Sequence, residues 1–203
     1  MTAAMADAGA DAAVVVTPCY FKGRMNAAAL ARHYEAVADA SPVPIVLYSV
    51  PANTGIDLPP EVAALLADHP NVVGIKDSGG DIAKIGMMAQ LTRGKDFQAS
   101  CPPKLATSSA TDCSVLQILA GSASFLLSAL HVGAVGGICA LANAMPKAVW
   151  QLFDLFSKGE FAAASELQKR LVAPNQGCGF SVAKINCPIQ FIGTFFSRMS
   201  NRF

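Results

Sequence analysis

The stretch Val72-Val73-Gly74-Ile75-Lys76-Asp77-Ser78-Gly79-Gly80-Asp81 decides the fold. A short apolar run ends on a lysine, a glycine-rich loop follows, and Asp81 is placed to cap a helix carrying Ile82, Ile85 and Met88. The same unit stands upstream. Ile45-Val46-Leu47 leads to Tyr48 and a loop ending in Pro59-Pro60, and Val62, Leu65 and Leu66 then line one helical face. Before it, Val14-Val15-Val16 precedes a loop, and Asn26 is placed to cap a helix with Leu30, Tyr34, Val37 and Ala38 on its apolar side. The three runs start at residues 14, 45 and 72, which are 31 and 27 residues apart. Strands alternating with helices at this spacing read as βα units of a parallel sheet, so the fold class is α/β.

Composition bounds what such a chain can do. Its 203 residues fit one domain with an appendage, since a domain takes roughly 150 residues. The sequence is 53% hydrophobic and 14% charged, where an average soluble chain has about 25% charged residues. Disorder is excluded for most of the length, because it requires low hydrophobicity and high net charge. A formal charge of +1 provides no basic field, so nucleic acid is not an expected partner. The six cysteines form no C-x-x-C pair and complete no zinc pattern, which suits a reducing compartment. The first thirteen residues hold two Asp and no Arg, and so resemble neither a secretory signal nor a transit peptide.

A mean hydropathy of +0.41 raises the question of a membrane. Residues 113–146 contain no Asp, Glu, Lys or Arg over 34 positions, and apolar runs above about 18 residues are candidate spans. Yet this run is cut by Gly121-Ser122, His131 and Gly136-Gly137 into pieces that fit a buried strand, a core helix and another strand, the last over residues 135–141. No Lys or Arg cluster flanks it as an orientation signal. The expectation is therefore no membrane, with a spanning protein as the less favoured alternative.

Two segments break the repeating pattern. Residues 99–114 form a Ser/Thr/Pro cluster read as a loop, much longer than the 2–6 residues usual for an αβ connection. Residues 180–203 hold five of the eleven Phe and show no clear period. Between them, residues 147–172 read as two helices broken near Ser157-Lys158-Gly159.

In parallel sheets and barrels, reactive groups sit where strands end and βα loops begin. Tyr48 and Lys76 both occupy such ends, on successive units, which would place them side by side on one face. Burying a lysine there disfavours the ammonium and leaves an amine able to attack a carbonyl. A phenol beside it could move protons. On spacing alone both residues are more commonly a solvated lysine and a core-closing tyrosine. Gly79 and Gly80, and Gly121-Ser122 in the same way, suit close approach to an anion at a helix N-terminus, but Gly79 and Gly80 are individually better read as turn residues, and Asp77 and Asp81 as turn and cap. His33, His69 and His131 are isolated in sequence and read as structural.

Tyr48-Ser49-Val50-Pro51-Ala52-Asn53-Thr54-Gly55 resembles the Y-x-x-P-x-x-T-G motif of the dihydrodipicolinate synthase/N-acetylneuraminate lyase superfamily. The stretch from Gly74 to Asp81 resembles its Schiff-base lysine motif, and two motifs one strand step apart are far more specific than either alone. The wording around them, with Val15-Val16-Thr17-Pro18-Cys19-Tyr20 and Gly133-Ala134-Val135-Gly136-Gly137, is most similar to the 4-hydroxy-2-oxoglutarate aldolase subgroup. Asn53 stands where the lysine-biosynthetic branch typically has a carboxylate-binding Arg, and a neutral amide cannot make that bidentate pair.

The resemblance implies a partial (β/α)8 TIM barrel, approximately strands four to eight plus C-terminal helices. It implies a Schiff base through Lys76, proton transfer by Tyr48, and substrate contacts from Ser78 and Gly121, with no metal and no diffusible cofactor. The implied reaction cleaves 4-hydroxy-2-oxoglutarate, a small 2-oxo acid, to pyruvate and glyoxylate in hydroxyproline catabolism. A mitochondrial setting and a homotetramer come with the subgroup. The resemblance covers residues 1–175 except a loop insert at 99–118, begins in the middle of the family fold, and leaves residues 176–203 as an atypical tail. The competing expectation is a non-catalytic fragment that binds full-length subunits.

Overall fold

The computed structural model describes residues 1–93 and 116–181, with side chains to residue 177. Most of the expected 99–118 insert, and the tail beyond residue 181, lie outside the described residues.

Among the described residues, five strands form one parallel sheet: β1 (Ala13–Val16), β2 (Ile45–Ser49), β3 (Val72–Asp77), β4 (Gln117–Ala120) and β5 (Gly136–Gly137). Their spatial order is their chain order. The helices are α1 (Thr2–Asp7), α2 (Ala27–Ala40), α3 (Pro51–Thr54), α4 (Pro60–Leu66), α5 (Ile82–Leu91), α6 (Leu126–His131), α7 (Leu141–Ala144), α8 (Pro146–Ser157) and α9 (Phe161–Ser181). Single 3₁₀ turns lie at Lys22–Arg24 and Ala123–Phe125. A doubly wound sheet reverses its strand order at a switch point, and this one does not, so the arrangement is that of a barrel segment.

Local chemistry explains the element boundaries. Asn26 Oδ1 accepts from Ala29 N at 2.9 Å and starts α2, which buries Leu30, Ala31, Tyr34 and Ala38. Pro60 opens α4, and Asp81 Oδ1 accepts from Lys84 N at 3.1 Å to open α5. These caps are the ones the sequence proposes.

Three expectations need adjustment. Residues 135–141 do not form a strand of that length: only Gly136 and Gly137 pair with β4. Cys139 O accepts from Ala142 N at 3.0 Å, which turns the chain out of the sheet and into α7. The second of the two late helices runs beyond residue 172, through Pro174 to Ser181. At the other boundary, Gln117 and Ile118 belong to β4, so the sheet resumes before residue 118.

Alternation along the strands separates two faces. Ala13, Ile45, Leu47, Ile75, Ile118 and Ala120 point outward and join Leu30, Tyr34, Leu66, Ile85, Met88 and Leu126 in one continuous core under the helices. The other face carries Val16, Tyr48, Lys76, Leu119 and Gly136 as cross-strand neighbours in one row. This inner row holds the expected site. Among the described residues, no helix is long and apolar enough to cross a membrane.

Candidate active site

The register sets Tyr48 beside Lys76 and Lys76 beside Leu119 at the C-terminal ends of β2, β3 and β4. Lys76 is 5% exposed, and its Nζ lies 4.0 Å from the centroid of the Tyr48 ring. The π face of the phenol therefore lines the amine. Ser78 Oγ donates to the Tyr48 hydroxyl at 3.5 Å. Gly121 follows β4, and its N–H donates to Asp77 O at 2.7 Å. A Cβ at Gly121 would lie 1.9 Å from Ser78 Oγ and 2.8 Å from Asp77 O, so only glycine lets these two loops meet. Lys76, Tyr48, Ser78 and Gly121 thus gather at one place, from three neighbouring strand tips.

The glycine-rich loop is organised by the protein itself. Gly79 N–H donates to Asp77 Oδ1 at 2.9 Å, and Gly80 takes a φ of +80°, a conformation that favours glycine. Asp77 and Asp81 act as turn and cap residues, as the sequence suggests. His69 pairs with Asp39 and accepts from Asn71 N, while His131 packs against Phe156 and Phe161, so neither approaches the site.

Sequence reasoning missed two features. Lys84 reaches back from α5 to pair with Asp77, at 2.5 Å from Oδ2, and with Asp57 Oδ1. Burial opposes the Lys84 charge, but hydrogen bonds and attraction from Asp57 and Asp77 outweigh it and hold its pKa above the ordinary lysine value. Lys84 sits on a helix whose other inward positions are apolar, so periodicity gives it no signal. The buried Cys139 is the second feature: burial pushes its thiol up to about 12, against the pull of the Lys76 charge. Among the described residues, no group of three His, Cys, Asp or Glu side chains could hold a metal ion.

Residues 1–101 and 104–180 match the model of the Dihydrodipicolinate synthetase family. The chain belongs to that family. It is 35% identical over 171 residues to a 4-hydroxy-tetrahydrodipicolinate synthase of Methanothrix thermoacetophila, covering 84% of this chain and 51% of that protein. It is 36% identical over 167 residues to an L-threo-3-deoxy-hexylosonate aldolase of Hypocrea jecorina, covering 82% of this chain and 49% of the relative. Among solved structures, YagE of E. coli K12, a prophage protein of the dihydrodipicolinic acid synthase family in complex with pyruvate, superimposes with a TM-score of 0.70 at 30% identity. That match covers 86% of this chain and 53% of YagE. The chain spans about half the length of the curated relatives it matches. Membership in the dihydrodipicolinate synthetase family accounts for the sequential parallel sheet as five strands of its TIM barrel.

Proposed function

We propose that this chain carries the Schiff-base chemistry of a carbon–carbon lyase acting on a small 2-oxo acid. The observation that supports it most is the convergence of amine, phenol and hydroxyl, with Lys76 Nζ 4.0 Å from the Tyr48 ring centroid and Ser78 Oγ 3.5 Å from its hydroxyl. In this reading the neutral Lys76 amine attacks the ketone carbon, and the carbinolamine loses water to give an iminium. The iminium accepts the electron pair released when the C3–C4 bond breaks, while the C4 hydroxyl gives up its proton and leaves as an aldehyde. The resulting enamine takes a proton at C3, and hydrolysis frees pyruvate and the amine. Tyr48 is the assigned proton carrier, held by Ser78, and Gly121 lets the loop after β4 close against Ser78, the other assigned substrate contact. The reaction calls for no metal and no diffusible cofactor.

The finer proposal is cleavage of 4-hydroxy-2-oxoglutarate to pyruvate and glyoxylate, in mitochondrial hydroxyproline breakdown and as a homotetramer. Asn53 counts against a synthase reaction: it lies exposed on α3, just beyond the tip of β2, and puts a neutral amide where the lysine-biosynthetic branch typically has a carboxylate-binding Arg. The test is covalent capture. The folded protein is incubated with pyruvate and borohydride and digested, and the reduced adduct is mapped by mass spectrometry. The adduct is expected on Lys76, and an unmodified Lys76 in a folded sample overturns the reading. Glyoxylate release from 4-hydroxy-2-oxoglutarate then tests the finer step.

A further inference from the structure

We infer that Lys84, with Asp57 and Asp77, is a positioning clamp that fixes the tips of β2 and β3 from behind, and so sets the distance between Tyr48 and Lys76. The inference rests on the Schiff-base reading for its chemistry but on the geometry for its mechanics. Ser49 follows Tyr48 and Asp77 follows Lys76, so strand alternation turns both toward the helices while the candidate site residues face inward. Both outward residues are fully buried and both are bound into one ionic network. Ser49 Oγ donates to Asp57 Oδ1 at 3.0 Å, and Leu58 N–H donates to the same carboxylate oxygen at 3.0 Å. Asp77 Oδ1 accepts from Gly79 N, which shapes the turn that presents Ser78. Lys84 Nζ bridges the two carboxylates, contacting Asp57 Oδ1 and Asp77 Oδ2.

One buried ammonium therefore ties the loop after α3 to the first turn of α5, across the two strands that carry the amine and the phenol. Two backbone links complete the frame: Ser78 N–H donates to Ser49 O at 2.8 Å and Gly121 N–H to Asp77 O at 2.7 Å. An ion network buried behind the strand tips holds its neighbours to a single arrangement more strictly than apolar contacts would. Loss of the bridge leaves Ser49 and Asp77 with ladder bonds and local hydrogen bonds to Asp57, Leu58 and Gly79 but without the ionic tie between Asp57 and Asp77, and small displacements between reacting groups are costly in rate.

The experiment compares the whole chain with Lys84→Met, Lys84→Arg and Asp57→Asn. Asp57 is half exposed, so Asp57→Asn weakens the bridge without stranding a fully buried charge and serves if Lys84→Met does not fold. Two quantities are measured: the rate of pyruvate capture at saturating pyruvate, and hydrogen exchange at the amides of Leu58, Gly79 and Gly121. Lys84→Met is expected to slow capture on the order of 10- to 100-fold and Asp57→Asn by less, with the half-saturating pyruvate concentration little changed. Exchange at the three amides should quicken while α8 and α9 keep their protection, and Lys84→Arg should restore both readouts in part. Folded Lys84→Met or Asp57→Asn with unaltered exchange overturns the clamp. If the parent chain captures no pyruvate, the functional reading fails instead, and exchange alone still decides the clamp.

Discussion

Gly121→Ala puts the packing of the candidate site to a quantitative test. The added Cβ would meet Ser78 Oγ at 1.9 Å, Ser78 Cβ at 2.8 Å and Asp77 O at 2.8 Å. The hydroxyl can rotate away, at the expense of its 3.5 Å contact with the Tyr48 phenol. The other two atoms cannot rotate, because Asp77 O accepts the Gly121 N–H and Ser78 Cβ is fixed by a backbone bonded to Ser49 O. Ordinary contact begins at 3.4 Å, so the loops after β3 and β4 must part by several tenths of an ångström. Overpacking of this kind costs about 1–3 kcal/mol. In a domain of this size each kcal/mol lowers Tm by about 2–4 °C. The assay pairs thermal unfolding with pyruvate capture, and Gly23→Ala serves as the control. Gly23 has open space around its ideal Cβ and should tolerate alanine within about 0.5 kcal/mol. Capture is expected to fall in Gly121→Ala by more than the loss of folded protein explains, because Ser78 is driven off Tyr48. A Gly121→Ala chain with the Tm and capture rate of Gly23→Ala would refute the reasoning.

Cysteine chemistry supplies two further predictions. With an alkylating reagent near pH 8 the exposed Cys19 should label quickly while the buried Cys139, its thiol pushed up to about 12, stays protected until the chain unfolds; peptide mapping reads both, and rapid native labelling of Cys139 contradicts its placement. Stability should also fall in alkali. In the unfolded chain Cys139 ionises near its ordinary 9.0 but in the fold only near 12, so its contribution is complete below pH 9 and is lost between 9 and 12, at up to about 1.4 kcal/mol per pH unit. Lys84, raised by its carboxylates, acts in the same direction above its ordinary 10.5. Denaturant midpoints measured from about pH 8 to about pH 11 should decline, and less steeply in Cys139→Ala; a flat profile counts against both burials.

Much of this arrangement was legible in the sequence for a physical reason. Strands covered by helices read as continuous apolar runs, so Val14-Val15-Val16, Ile45-Val46-Leu47 and Val72-Val73-Gly74-Ile75 mark themselves. The residue that ends such a run stands at the strand tip, which is why the sequence alone sets Tyr48 and Lys76 beside each other. Asn26 and Asp81 were legible because a cap is a local interaction within three residues. What failed was long range or very short. The β5 pairing rests on Gly136 and Gly137, and no periodicity reports the close approach of Gly137 to Ala120 O. The Lys84 bridge joins residues 27 positions apart in sequence to Asp57, and a lone lysine in a helix gives no hint of its partner. Gly121 owes its necessity to Ser78, which a sequence cannot place against it.

The two faces of the sheet divide stability from chemistry. The outward side chains of β1 to β4 are sealed under α2, α4, α5 and α6, and Ile45, Leu47, Ile75 and Ile118 are all at most 1% exposed. On the inward face the centre is equally buried at Val46 and Leu119, but the margin is open: Val14 and Val16 are 46% and 44% exposed. Hydrophobic stabilisation scales with the apolar area withdrawn from water, so the helix-facing layer supplies most of it. Tyr48 and Lys76 stand in the inward row, between that open margin at Val16 and the sealed Leu119. In the proposed Schiff-base reading their side chains are devoted to reaction, while the residues next to them, Ser49 and Asp77, face the other way and carry the structural bonds. On that reading the Tyr48-Ser49 and Lys76-Asp77 pairs each set a reacting side chain beside an anchoring one, so consecutive residues meet both demands.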